Sequence, residues 1–219
     1  MEPLKTKIAD MLVGIELYNP NNIGTLLQYL NEQCSENTYD LEANLAILRL
    51  YQFNTDQLDN KVITKILLKA MTALPNPDFV LCKSLIDPAL FEEDGADQEI
   101  LAVLQLFHLL EICDFQQFWK VLREKPGLYL GITGFEDSIR QFICHTVKIT
   151  YQCIKKQIVC NLLGGLDETQ LKHWVNLNKW SEIDDGYLHI SNQDELIKSK
   201  NIKEKIEFES VAGVVTTYK

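Results

Sequence analysis

Cys144 and His145 put a thiol beside an imidazole, the two groups of a nucleophile–base pair. Neighbours on a helix point to different sides, however, and no third group stands ready to orient the base. Asp184-Asp185 and Glu92-Glu93-Asp94 are paired carboxylates of the kind that divide acid and base work. Both lie in polar, turn-like runs, without the burial that would separate their pKa values. Gly131-x-x-Gly134 lacks the lysine and the preceding strand of a phosphate loop. The six cysteines (Cys34, Cys82, Cys113, Cys144, Cys153, Cys160) form no C-x-x-C, and His108, His145, His173 and His189 are scattered. A structural metal would need tighter ligand pairs. These residues predict no catalytic centre, no cofactor site and no metal site. The cysteines read as small, reduced apolar side chains on helices.

The remaining candidates are residues that meet partners. Lys155, Lys156, Lys172 and Lys179 lie in the chain's second part and could meet phosphates if they formed one strip. The overall charge opposes that use. The 219 residues carry a net charge of −10, with most of the excess acid before residue 133. Nucleic-acid binding draws on a basic excess, and neither part of the chain has one. Ile202, Ile206 and Phe208 form a thin apolar line on a charged tail. Ile202 and Ile206, four apart, fit one helix face for docking.

These residues depend on the stretch Gly131–Trp180 for their positions. Thr133-x-x-Glu136 and Asp167-x-x-Gln170 have the spacing of capping boxes at two helix starts. Gly164-Gly165 suits a left-handed helix stop. Phe135, Ile139, Phe142, Ile143 and Val147 mark a first helix, and Ile149-Thr150-Tyr151 a short extended segment. Ile154, Ile158, Val159, Leu162 and Leu163 mark a second helix, with Lys155 and Lys156 on its outer side. Leu166, Leu171, Trp174, Val175 and Leu177 follow on a third. Tyr187–Ile190 then reads as a strand after the turn at Asp184-Asp185-Gly186. Three helices and a small hairpin outline a winged helix. Its third helix opens with Asp167 and Glu168, where a groove-reading helix would meet phosphates.

Seven helices are predicted before it, starting with Leu4–Tyr18 and then Ile23–Cys34. Asp40–Phe53 has Asp40 as its N-cap, and Lys61–Leu74, Asp78–Ile86 and Gln98–Ile112 follow. The seventh starts at Asp114 and stops before Pro126. With no strand signal and no fixed repeat period, they suggest stacked helix pairs presenting protein-contact surfaces. No apolar run reaches the length of about 20 residues that spans a bilayer. The first residues, MEPLKTKIADML, carry acids and do not read as a signal peptide. The expectation is a cytoplasmic protein with no membrane contact.

The segments Tyr39–Asn54, Gly131–His145 and Lys200–Phe208 resemble the k-subunit family of eukaryotic translation initiation factor 3, and the likeness runs from about Leu12 to Val211. The resemblance implies a mainly α protein. A HEAT-like helical-repeat domain (1–130) would precede a PCI-type winged-helix domain (131–193) and a charged tail (194–219). It implies a non-catalytic accessory subunit that contacts other subunits of the factor, the l subunit above all, and reaches the small ribosomal subunit through the complex. Lys155, Lys156, Lys172, Ile202, Ile206 and Phe208 are the candidate partner contacts. The alternative is a winged-helix adaptor that binds RNA.

Overall fold

A computed structural model of the chain describes residues 2–91, 97–183 and 186–191. The acidic link Glu92–Asp94, the turn residues Asp184 and Asp185, and the tail with Ile202, Ile206 and Phe208 lie outside the described residues.

The helices begin where side-chain oxygens can replace the missing partners of first-turn amides. α1 (Glu2–Met11) and α2 (Ile23–Ser35) lead into α3 (Leu41–Phe53), which Asp40 caps by accepting from the Ala43 N–H at 3.2 Å. α4 (Asn60–Met71) is capped by Asp59, and α5 (Asp78–Ser84) starts behind Pro77. α6 (Gln98–Glu111) is capped by Asp97 and α7 (Phe115–Glu124) by Asp114. Neighbours in sequence pack on one another, α2 on α3, α4 on α5 and α6 on α7, and α4 also packs on α6.

Between α2 and α3 the core contains a polar pair. Gln33 and Asn44, both fully buried, exchange side-chain hydrogen bonds at 3.2 and 3.4 Å. The Gln33 carbonyl oxygen also accepts from the Asp40 N–H, so the pair fixes the loop between the helices. Buried amides are tolerated when they satisfy each other in this way.

The second part has the order α8 (Phe135–Thr150), β1 (Cys153–Lys155), α9 (Lys156–Leu162), α10 (Glu168–Leu177), β2 (Ser181–Ile183) and β3 (Tyr187–His189). The sheet is antiparallel in the order β1-β3-β2, with Ile154 opposite Leu188 and Glu182 opposite Leu188. This is the element and strand order of a winged helix. Ile154 and Leu188 face inward and are buried. The adjacent residue on each strand, Lys155, Tyr187 and Ile183, pairs in register and lies on the outer face. One apolar cluster runs from Ile8 to Ile190 through both parts.

Four expectations need correction. The first helix does not reach Tyr18: Gly14, at φ +66°, turns the chain and a 3-10 stretch Gly14–Tyr18 follows. Thr133 and Glu136 form no capping box. The Thr133 N–H donates to the Cys34 carbonyl at 2.9 Å, Glu136 binds Tyr129 and Arg140, and Gly134 at φ +73° stands at the cap. Ile149-Thr150 is not extended but forms the last turn of α8, where the Thr150 hydroxyl donates to the Thr146 carbonyl at 2.7 Å. The strand lies just beyond it. Ile154 and Lys155 therefore belong to β1, and α9 starts only at Lys156.

Candidate interaction surface of the winged helix

The loop between α9 and α10 sets the geometry of the module. Gly164 and Gly165 take φ of +95° and +70°. The Gly165 N–H donates to Cys160 O at 2.8 Å and the Gly164 N–H to Asn161 O at 3.2 Å, the two bonds of a Schellman stop. Three residues on, Asp167 and Gln170 form the reciprocal capping box that opens α10. The Asp167 carboxylate accepts from the Gln170 N–H at 2.7 Å, and that bond holds its pKa below the usual range.

α10 then presents Glu168 beside two of the candidate lysines. Lys156 Nζ lies 3.0 Å from Glu182 Oε1 and 3.6 Å from Glu168 Oε1, and Lys172 Nζ lies 3.8 Å from the same Glu168 oxygen. The hydrogen bond to Glu182, joined by the charge of Glu168, raises the Lys156 pKa. Lys156 thus ties the start of α9 to α10 and to β2. Its backbone N–H adds a bond to Gly186 O at 2.9 Å. Lys155 points elsewhere: its ammonium lies 5.7 Å from the centre of the Tyr187 ring on the outer sheet face. Lys179 follows α10 in a left-handed conformation, φ +58°. The structure brings Lys156 and Lys172 together around acids and leaves Lys155 apart from them. Lys156 and Lys172 are thus interleaved with carboxylates instead of forming a free pair of cations.

Exposed apolar side chains accompany this surface. Ile158, Leu177, Ile183 and Tyr187 are all exposed. Sequence reasoning counted Leu177 among the apolar residues that mark the third helix and missed Ile183, since a three-residue strand shows too little alternation to assign its faces. It also missed that Cys153 Sγ and His189 Nδ1 approach to 3.8 Å. That pair sits on the open face of the sheet rather than in a cleft. Cys34, Cys82 and Cys144 are buried as expected, while Cys113 and Cys153 are exposed. Among the described residues no group of three or more His, Cys, Asp or Glu side chains converges on a common point, and no helix is long and apolar enough to cross a membrane.

Comparison with known proteins finds related sequences along the chain. The model of the CSN8/PSMD8/EIF3K family matches residues 57–201. Proteins named eukaryotic translation initiation factor 3 subunit K are similar along nearly the whole chain. The one from Danio rerio is 49% identical over 216 residues, covering 99% of this chain and 97% of its own length. The one from Homo sapiens is 48% identical with the same coverage. The one from Nematostella vectensis is 43% identical over 212 residues, covering 97% and 96%.

Proposed function

The chain belongs to the CSN8/PSMD8/EIF3K family, among the subunit K proteins of eukaryotic translation initiation factor 3, and on that premise we propose that it is a non-catalytic scaffold subunit of that factor. In this reading it works in the cytoplasm. Its helical part is HEAT-like, its second part is a PCI-type winged helix, and both offer faces to other subunits. The l subunit is the direct neighbour, and the small ribosomal subunit is reached through the complex.

The observation that carries the reading is the pairing of the module's cations. Lys156 and Lys172 converge on Glu168, and Lys156 also holds Glu182. A phosphate backbone would have to displace those carboxylates, and the chain's net charge of −10 opposes its approach. The exposed Ile158, Ile183 and Tyr187 suit a protein partner better than a nucleic acid. The RNA-adaptor alternative is correspondingly disfavoured.

Size-exclusion chromatography of the purified full chain mixed with purified l subunit tests this. Co-elution as a stable pair is expected. Separate elution at micromolar concentration would remove the direct contact, and salt-sensitive binding of the chain to RNA in its place would reverse the assignment.

A further inference from the structure

The helical part carries a cleft of about 390 Å³ that the winged helix does not share. Its walls are Leu48 and Tyr51 of α3, Leu58 before α4, Ile63 of α4, and Ile86 and Leu90 beyond α5. The Gln52 side chain, also in the lining, donates to the Leu85 carbonyl at 2.8 Å and ties the α3 wall to the α5 wall. The cleft therefore has fixed sides and an apolar interior large enough for one or two side chains.

Two further features point to what would fill it. Tyr51 is buried, and its hydroxyl has no hydrogen-bond partner among the described residues. Burial, with the charge of Asp59 added, pushes its pKa up to about 12, so the group keeps its proton and is a donor awaiting an acceptor. Among the described residues the lining contains no lysine or arginine, while Asp87 lines the cleft and Asp59 follows Leu58 at its edge. Each aspartate spends one carboxylate oxygen on a cap: Asp59 on the Lys61 N–H at 2.9 Å and Asp87 on the Ala89 N–H at 3.0 Å. Neither has an ion-pair partner among the described residues.

We propose that this cleft docks a peptide segment of a partner protein in which an aliphatic side chain is flanked by lysine or arginine. The aliphatic group enters between Leu48, Leu58 and Leu90. A peptide carbonyl accepts from the Tyr51 hydroxyl, and the flanking cations meet Asp59 and Asp87. The carboxylate rim selects against an acidic peptide and against nucleic acid. The proposal concerns the helical part alone and stands whether or not the winged helix binds the l subunit.

Fluorescence anisotropy of the full chain with the labelled peptides KLLKLLKK and ELLELLEE tests it at low salt. The cationic peptide is expected to bind and the acidic one not to. Asp59→Asn with Asp87→Asn keeps both caps and is expected to weaken binding about fivefold or more, the worth of two exposed charge pairs. Tyr51→Phe is expected to weaken it a few-fold, the worth of one hydrogen bond. Glu42→Gln with Glu111→Gln removes the same charge away from the cleft and is expected to change binding little. Amide signals of Gln52, Leu85 and Asp87 should move in nitrogen-15 spectra. Equal weakening by the two double variants, equal binding of the two peptides, or shifts confined to other residues would overturn the proposal.

Discussion

Trp119 of α7 donates its indole N–H to the backbone carbonyl of Leu162 at 2.8 Å, closing the last turn of α9 with a group from the helical part. The carbonyls of a helix's final turn lack partners within the helix. Here they are taken from outside: Leu162 by Trp119, Leu163 by Arg140 at 3.3 Å and Gly164 by Arg123. The Arg140 guanidinium also lies 5.0 Å from the centre of the Trp119 ring. The two parts of the chain are joined at a helix end, by backbone acceptors that any sequence there would offer.

That joint makes the two glycines after α9 unequal. A Cβ on Gly164 would lie 2.9 Å from the Trp119 ring, whereas one on Gly165 would meet nothing within 4 Å. Both take positive φ, so Gly165→Ala should cost about 1–2 kcal/mol from conformation alone. Gly164→Ala should cost about 1–3 kcal/mol more through overpacking. Urea denaturation of the two variants measures the difference. Equal losses would mean the Trp119 contact contributes nothing.

The carboxylates around Lys156 make a second prediction. Glu168→Gln with Glu182→Gln frees Lys156 and Lys172 while keeping side-chain size. Wild-type chain should show no shift of single-stranded RNA in a gel at moderate salt. The double variant should show weak binding that disappears as salt rises. RNA binding by the wild type at a strength the variant does not change would refute the view that these acids neutralise the surface.

Much of this was legible where the physics is local. Asp40, Asp114 and Asp167 each cap the helix that their spacing announces, because the donors lie only three residues away. Gly164-Gly165 stops α9 for the same reason. Thr133 and Glu136 have the same signature and fail, because the Cys34 carbonyl and Arg140 compete for their groups. Nothing near Thr133 in the sequence reveals Cys34. Ile149-Thr150 has strand-forming side chains, yet β-preference depends on a partner strand, and β3 pairs with Cys153–Lys155 instead. At the surface, the Glu168–Lys172 pair follows from helical spacing. The Lys156–Glu182 bond spans the wing and becomes visible only in the fold.

The Gln33–Asn44 pair predicts a loss that apolar replacement does not avoid. Asn44→Leu leaves the buried Gln33 amide without its side-chain partner and should cost about 1–3 kcal/mol despite the greater apolar volume. Adding Gln33→Met removes the stranded amide and should recover part of that loss, although the Asp40 N–H then loses its acceptor. A double-mutant cycle by thermal unfolding reads the coupling. Additive losses would show that the two amides do not depend on each other.

Lys69 makes the last prediction, through pH. It is 1% exposed and has no ion-pair partner among the described residues. Burial lowers its pKa from the ordinary 10.5, against a smaller opposing effect of the Cys34 thiol. Between that lowered value and 10.5 the unfolded chain holds a proton that the folded chain has lost, so this lysine makes stability rise with pH across the window. Below the window it is buried charged, at a constant penalty. Tyr29 acts in the opposite sense: burial and Asp40 push its pKa from 10.0 up to about 12, so the stability it contributes is lost as pH rises over that range. Lys69→Met should therefore raise stability at neutral pH by about 1 kcal/mol or more, as removal of an unpaired buried charge does. It should flatten the rise below pH 10.5 and leave the later decline in place. Unfolding free energies measured across that range for both proteins decide the matter. An unchanged slope in the variant would mean that the Lys69 ammonium reaches solvent in the folded chain.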